Sequence, residues 1–572
     1  MLLFHNAGEA RSRYSYYLAE IMRMEGFVDF TEEDISALDG NLLVQHDLVI
    51  LPRAALSRAQ IGQLVDFVQD GGRLIAFQPE PQLTEKLGLR PAYRGLDAGL
   101  LHIDTSQPSV QGLCSEPVQV LTPAVAWSWD AAETISQLAV IRPTPNGTAE
   151  DTPAVVSTRV GRGAAVLFAY DLPYTVARLR QGNPDHVDLC FAGLDGIYRP
   201  SELFVGQLPP EKMLIPQADL HTALLARLIE ELAPRPRLWY YPQAGQTSAL
   251  IMTSDDDWST LPQFEALLDG LRRRQARCTF YVVPNTNLTR DHIEAWEAEG
   301  HTFSVHPALK ADTVRTMKIE EPQSALVGPM LAENIERYQR EFGRPVRTVR
   351  QHAVRWRGYV DAARDLADLG VRMDLNYIAV SPFLGYMCGS GRPLRFVDEA
   401  GALIDCFQQP THWTEECLIH PEFVFSFKWP VERALEETGA IIRRAARRYY
   451  TPVALNSHPV SFATYSGPLI EGNWDTAVAE GMPILSADDW LDWTESRDQL
   501  RITLDAEGGT LHAASPLPAA TLLLPPALGA PRTTGQTGAQ ERWGRRYTTI
   551  TYTDLSAGAS NRFDYSSGEA TQ

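Results

Sequence analysis

Residues 249–258 read Ala-Leu-Ile-Met-Thr-Ser-Asp-Asp-Asp-Trp, an apolar run of strand length that ends in three consecutive carboxylates. Such a run has to be buried, and its end carries Asp255, Asp256 and Asp257 toward the interior. Adjacent buried anions are costly, because each loses solvation and each opposes ionisation of the next. A divalent cation at the strand end removes the conflict. A solvated loop or an Asp helix cap also removes it, and the triplet alone does not choose between them.

The following residues narrow the choice. A helical stretch from Leu261 leads to a second apolar strand at 278–283, and a helix from Asp291 leads to Gly300-His-Thr-Phe-Ser-Val-His306-Pro. Strand and helix alternating, with polar groups at successive strand ends, is how a parallel (β/α) barrel gathers a site on one face. Here the chain resembles the polysaccharide deacetylase family, carbohydrate esterase family four. That family's Thr-Phe-Asp-Asp-Gly motif is matched by residues 253–257, and its Gly-His-Glu-Ile-Gly-x-His strand by residues 300–306.

The resemblance spans residues 248–493. It implies a distorted (β/α) barrel, a hydrolase removing acetyl groups from an N- or O-acetylated polysaccharide or oligosaccharide, and a bound divalent metal, zinc first. By position, Asp255 falls on the catalytic base, and Asp256 and His306 on metal ligands. The family's second metal-binding His falls on Lys310, so a third protein ligand has to come from elsewhere. His352, in Val349-Arg-Gln-His-Ala-Val-Arg-Trp-Arg-Gly-Tyr359, is the candidate, with a hydrogen-bonded loop histidine as the alternative. The same segment places Arg350 as the partner of the base and Trp356 as a wall. Asp374 falls on the carboxylate that tunes the general acid, and His458, in Pro452-Val-Ala-Leu-Asn-Ser-His458-Pro, on that acid itself. Trp258, Tyr377 and Trp413 join Trp356 as candidate faces for a sugar ring, although each by itself also reads as core.

The flanks read differently. Over residues 1–240, apolar strand-length runs at 2–4, 47–51, 74–77 and 164–170 alternate with helical stretches at 14–25 and from 58 onward, the latter opened by a capping box at Ser57 and Gln60. This region resembles the class I glutamine amidotransferase-like fold, a flavodoxin-type sheet. Where active members carry a nucleophilic Cys, the run 74–77 passes into Gln78-Pro79-Glu80-Pro81, which implies a non-catalytic domain. A Pro-rich joint at 233–242 leads to the central domain, 245–495. Short β-like runs within 498–572 predict a small β-sandwich whose last ten or so residues are loose.

Composition sets the exclusions. The 51 Lys and Arg against 71 Asp and Glu give a net charge of -20 over 572 residues, which leaves no footprint for a phosphate backbone; nucleic acid is not an expected partner. The six cysteines lack any C-x-x-C pair and read as buried small hydrophobes. No stretch is long and apolar enough to span a bilayer, and the N-terminus lacks the pattern of a signal peptide. The expectation is a soluble chain, cytoplasmic as written or extracytoplasmic if a leader was removed, with a homo-oligomer allowed. Two other functions stay open: a catalytically inactive carbohydrate-binding protein, and an amidase acting on peptidoglycan or small N-acyl compounds.

Overall fold

The computed structural model describes residues 1–6, 8–9, 12–130, 134–142, 151–190, 196–313 and 323–565. Most of the tail expected to be loose, 566–572, lies outside the described residues. The protein is a mixed α/β chain built on large, parallel-rich sheets. Among the described residues no helix is long and apolar enough to cross a membrane. All six cysteines are unpaired, and five of them are buried.

In the first 240 residues the apolar runs become Leu2–His5, Leu48–Leu51, Arg73–Phe77 and Gly163–Phe168, which pair parallel, with Thr31–Asp34 at the edge. The capping box at Ser57 and Gln60 forms, and the helix it opens, Arg58–Gln69, buries Ile61, Leu64, Val65 and Val68. Beyond Gly163–Phe168 the same sheet continues antiparallel through Thr152–Val160, Ile135–Arg142, Gly99–Ile103 and Val118–Val120.

The central strands fall into two sheets. One runs Thr302–Val305, Thr279–Val282, Leu250–Asp255, Val453–Ser457, Trp413–Thr414, all parallel, with Ile484–Ser486 also paired to Leu250–Asp255. The other holds Thr348–Val349, Met373–Asp374, Leu403–Gln408 and Leu394–Val397. At one junction Ser304 Oγ donates to the Thr348 carbonyl; at the other stands the isolated bridge between Ile378 and Thr411. Among the described residues no strand ladder closes a ring, so the expected barrel is corrected to two parallel-rich sheets joined by side chains and single contacts. The strands at the junctions are only two to four residues long, too short for continuous pairing.

The C-terminal residues form two four-stranded antiparallel sheets, and the joint strand Arg237–Leu238 is the edge of one of them, paired to Leu517–Leu524. The joint is therefore buried: Arg237, Leu238, Trp239, Tyr240 and Tyr241 are each at most 5% exposed. Its centre is Glu25, which follows the helix Ser15–Met24 and is 1% exposed. Glu25 accepts hydrogen bonds from Thr222 at 2.6 Å, Arg237 at 3.0 Å and Arg392 at 2.9 Å, and from the Tyr240 hydroxyl. Arg392 in turn lies 3.7 Å from the centre of the Tyr240 ring. Removing one member of a buried ionic knot leaves the others uncompensated. Glu25→Ala is expected to cost about 3 kcal/mol and to lower the urea unfolding midpoint followed by circular dichroism; a wild-type midpoint would show that the knot holds nothing together.

Candidate active site

Asp255 is the last residue of the strand Leu250–Asp255, and the chain turns directly after it. Asp255 and Asp257 line a cleft of about 190 Å³ together with His306, His352, Asn456 and His458. Asp256 turns away. It accepts hydrogen bonds from the backbone N–H groups of Ser259 at 3.1 Å and Val283 at 3.4 Å, and burial pushes its carboxyl up to about 6. Asp256, expected as a ligand, therefore does not line the cleft, and Asp257 does. Asp257 and Trp258 both take left-handed backbone, φ +43° and +57°, where the strand ends.

Arg350 lies beneath the cleft and is completely buried. Its guanidinium donates to Asp255 Oδ1 at 3.2 Å, Thr253 Oγ1 at 2.7 Å, Thr411 Oγ1 at 2.9 Å and Asn456 Oδ1, and its Nε to the Leu375 carbonyl at 3.2 Å. Asn456 Nδ2 donates to the other oxygen of Asp255 at 2.8 Å. Both oxygens of Asp255 are therefore aimed.

His306 ends the strand Thr302–Val305. Its Nδ1–H donates to the Arg350 carbonyl at 2.7 Å, which leaves Nε2 facing Asp257 Oδ1 at 3.4 Å. His352 stands edge-on to it, ring centres 5.7 Å apart, with its Nδ1 3.1 Å from Asp312. Asp312 is fixed by Arg355 at 2.7 and 2.9 Å. The next residues, Ala353 and Val354, have φ +57° and +45°; for a β-branched residue this is strain, of the kind that gathers at functional sites. Lys310 faces outward, its side chain 80% exposed and 3.6 Å from Glu333.

Among the described residues, no three His, Cys, Asp or Glu side chains are drawn close enough to be a finished metal site. The donors nevertheless fit one. Asp257 Oδ1 is buried with no hydrogen-bond partner. Burial would raise the Asp257 pKa, but His458, His306 and His352 hold it well below the carboxylate range; burial would lower that of His306, but Asp255 and Asp257 raise it. One carboxylate oxygen and two imidazoles whose outer nitrogens rest on a carbonyl and a carboxylate make a donor set suited to zinc.

His458 follows the strand Val453–Ser457. Glu415 Oε1 accepts both its Nδ1–H, at 2.9 Å, and its backbone N–H, at 2.8 Å. Its Nε2 lies 3.9 Å from Asp255 Oδ2 and 3.7 Å from Asp257 Oδ2. Burial lowers the His458 pKa, but Glu416, Glu415 and Asp257 raise it well above the usual value. Asp374 was expected behind this ring. It is held instead by the Asn376 side chain and by the Asn376 N–H at 3.2 Å, and burial pushes it up to about 7. Asn376 in turn accepts the Gln351 N–H at 2.8 Å, so Asp374 shapes the loop around Arg350. Glu415 went unnoticed in the sequence; the usable signal is the polar Thr414-Glu415-Glu416 directly after Trp413.

The aromatic expectations need correcting too. Trp258 is half-buried beside His352, ring centres 5.4 Å apart. Trp356, Tyr377 and Trp413 are at most 2% exposed, and Trp356 packs edge-on against Tyr377 while its N–H is taken by the Tyr359 carbonyl. Large rings next to a motif have been drawn into the core that supports it. The cleft's aromatic wall is Phe423 and Phe425, with Arg199, from the N-terminal region, 4.8 Å above the Phe425 ring.

No family model matches the sequence, and no curated protein matches it. Among solved structures the chain is similar to a protein from Mycobacterium smegmatis assigned as a polysaccharide deacetylase, with 17% identity and a TM-score of 0.34, over 46% of this chain and 96% of that one. A Bordetella bronchiseptica protein, assigned as a polysaccharide deacetylase of O-antigen biosynthesis, gives 14% and 0.25 over 40% and 81%. A ThuA-like protein from Bacteroides uniformis gives 14% and 0.24 over 30% and 80%. Likeness at this level leaves the chemistry to be read from the side chains themselves.

From this geometry, Asp257→Asn is expected to weaken zinc binding at least about tenfold, and Asp256→Asn to leave it unchanged, as read by equilibrium dialysis. Equal losses in the two variants would return Asp256 to the ligand set.

Proposed function

We propose that this chain is a metal-dependent hydrolase that removes an acetyl group from an acetylated sugar or sugar polymer. The observation that carries the reading is the facing pair of Asp255 and His458, 3.9 Å apart across the cleft, each anchored from behind, one by Arg350 and the other by Glu415.

Asp255 is placed to take a proton from an attacking water, with Arg350 and Asn456 holding both carboxylate oxygens in position. His458, whose pKa Glu416, Glu415 and Asp257 raise against the effect of burial, is placed to give a proton to the departing amine or alkoxide. A divalent cation held by Asp257, His306 and His352, most reasonably zinc, would polarise the acetyl carbonyl and acidify the water. Phe423, Phe425 and Trp258 offer faces for a sugar ring.

The flanking regions fit supporting roles. The parallel half of the N-terminal sheet reads as the flavodoxin-like sheet of an amidotransferase relative without its nucleophile, and the two C-terminal sheets as a small β-sandwich. The contribution of Arg199 to the cleft supports a role for the first domain in presenting substrate.

Asp255→Asn is expected to lower acetate release from a panel of acetylated oligosaccharides by at least about a hundredfold, with zinc content unchanged. An unaltered rate would remove Asp255 from the chemistry and this reading with it.

A further inference from the structure

We infer that Glu415 is the positioning residue of the proton donor His458, a role that rests on the hydrolase reading above. Glu415 is completely buried, and its two oxygens have separate tasks. Oε1 takes both the Nδ1–H and the backbone N–H of His458, while Oε2 takes the Thr414 hydroxyl at 2.9 Å. Holding ring and backbone on one oxygen fixes the ring orientation as well as its tautomer.

The register explains how Glu415 gets there. Trp413 pairs with Leu455 and Thr414 with Asn456, so Glu415, the residue after one strand, comes alongside the Ser457-His458 end of the other. Asn456, one register step back, holds Asp255. Two adjacent strand ends thereby supply the fixtures for base and acid separately.

With Nδ1 pinned, Nε2 is directed toward Asp255 and Asp257. Proton donation then breaks the Nε2–H bond, and its electron pair stays on the ring. The proton goes to the leaving nitrogen or oxygen as the bond to the acyl carbon breaks, and a neutral imidazole remains with its Nδ1–H on Glu415. The carboxylate attracts the charged ring more strongly than the neutral one, and a buried setting enlarges that preference. A neutral acceptor behind the ring, such as the Arg350 carbonyl behind His306, supplies orientation without that charge.

The test compares Glu415→Gln, Glu415→Asp and Asp374→Asn in the zinc-loaded full chain. Proton NMR should show a hydrogen-bonded imidazole N–H resonance, assigned by its loss in His458→Gln, that shifts or vanishes in Glu415→Gln and persists in Asp374→Asn. Glu415→Gln should lower kcat on N-acetylated chito-oligosaccharides by about ten- to a hundredfold at unchanged KM. On 4-nitrophenyl acetate, whose phenolate leaves without a proton, the loss should stay within about twofold, and Glu415→Asp should recover part of the lost rate. Equal losses on both substrates, a fall in zinc affinity, or a resonance indifferent to Glu415 but moved by Asp374→Asn would each overturn the assignment. If wild type turned over neither substrate while the resonance followed Glu415, the hydrolase reading would fail and the positioning contact would stand.

Discussion

One buried guanidinium holds the central region together. Arg350 leaves the end of Thr348–Val349 in one sheet and reaches Thr253, Asp255 and Asn456 in the other, with Leu375 and Thr411 gathered on the way. No strand ladder joins those sheets among the described residues, so this fan of bonds reinforces the few backbone contacts, such as that of Ile378 with Thr411, that cross between them. A cation so deep is tolerable only when it is paired and hydrogen-bonded, and five acceptors surround this one, the Asp255 carboxylate among them. The aim of Asp255 is therefore a by-product of what holds the two sheets in register with each other.

Much of this was readable in advance, and the failures have physical causes. The buried strands, the Ser57 capping box and the clustering of Asp255, His306, Arg350 and His458 follow from apolar runs and from polar residues placed directly after them. That Asp257 rather than Asp256 joins Asp255 in the cleft was not readable, because it depends on the left-handed turn that follows the strand. Glu415 escaped because its strand, Trp413–Thr414, is two residues long and gains meaning only from pairing with residues some forty positions away. Trp356, Tyr377 and Trp413 show the opposite error: aromatic residues beside a motif look like a binding face, yet the area they bury makes them support for the loops.

The three regions are not beads on a string. Arg199 lines the cleft from the first region, Arg237 and Leu238 extend a sheet of the last, and Glu25 ties helix, joint and central region in one ionic knot. The shape of the cleft is accordingly a property of more than the central region, since the first region supplies Arg199 to its wall.

That knot also links the regions to one another. Glu25 draws its partners from well along the sequence, Thr222, Arg237 and Tyr240 lying 197, 212 and 215 residues on and Arg392 367 residues on. Thr222, Arg237 and Tyr240 belong to the first region and its joint, so Arg392 alone makes the charge balance of Glu25 depend on the central region. Through that one contact the packing of the first region answers to the folding of the central one.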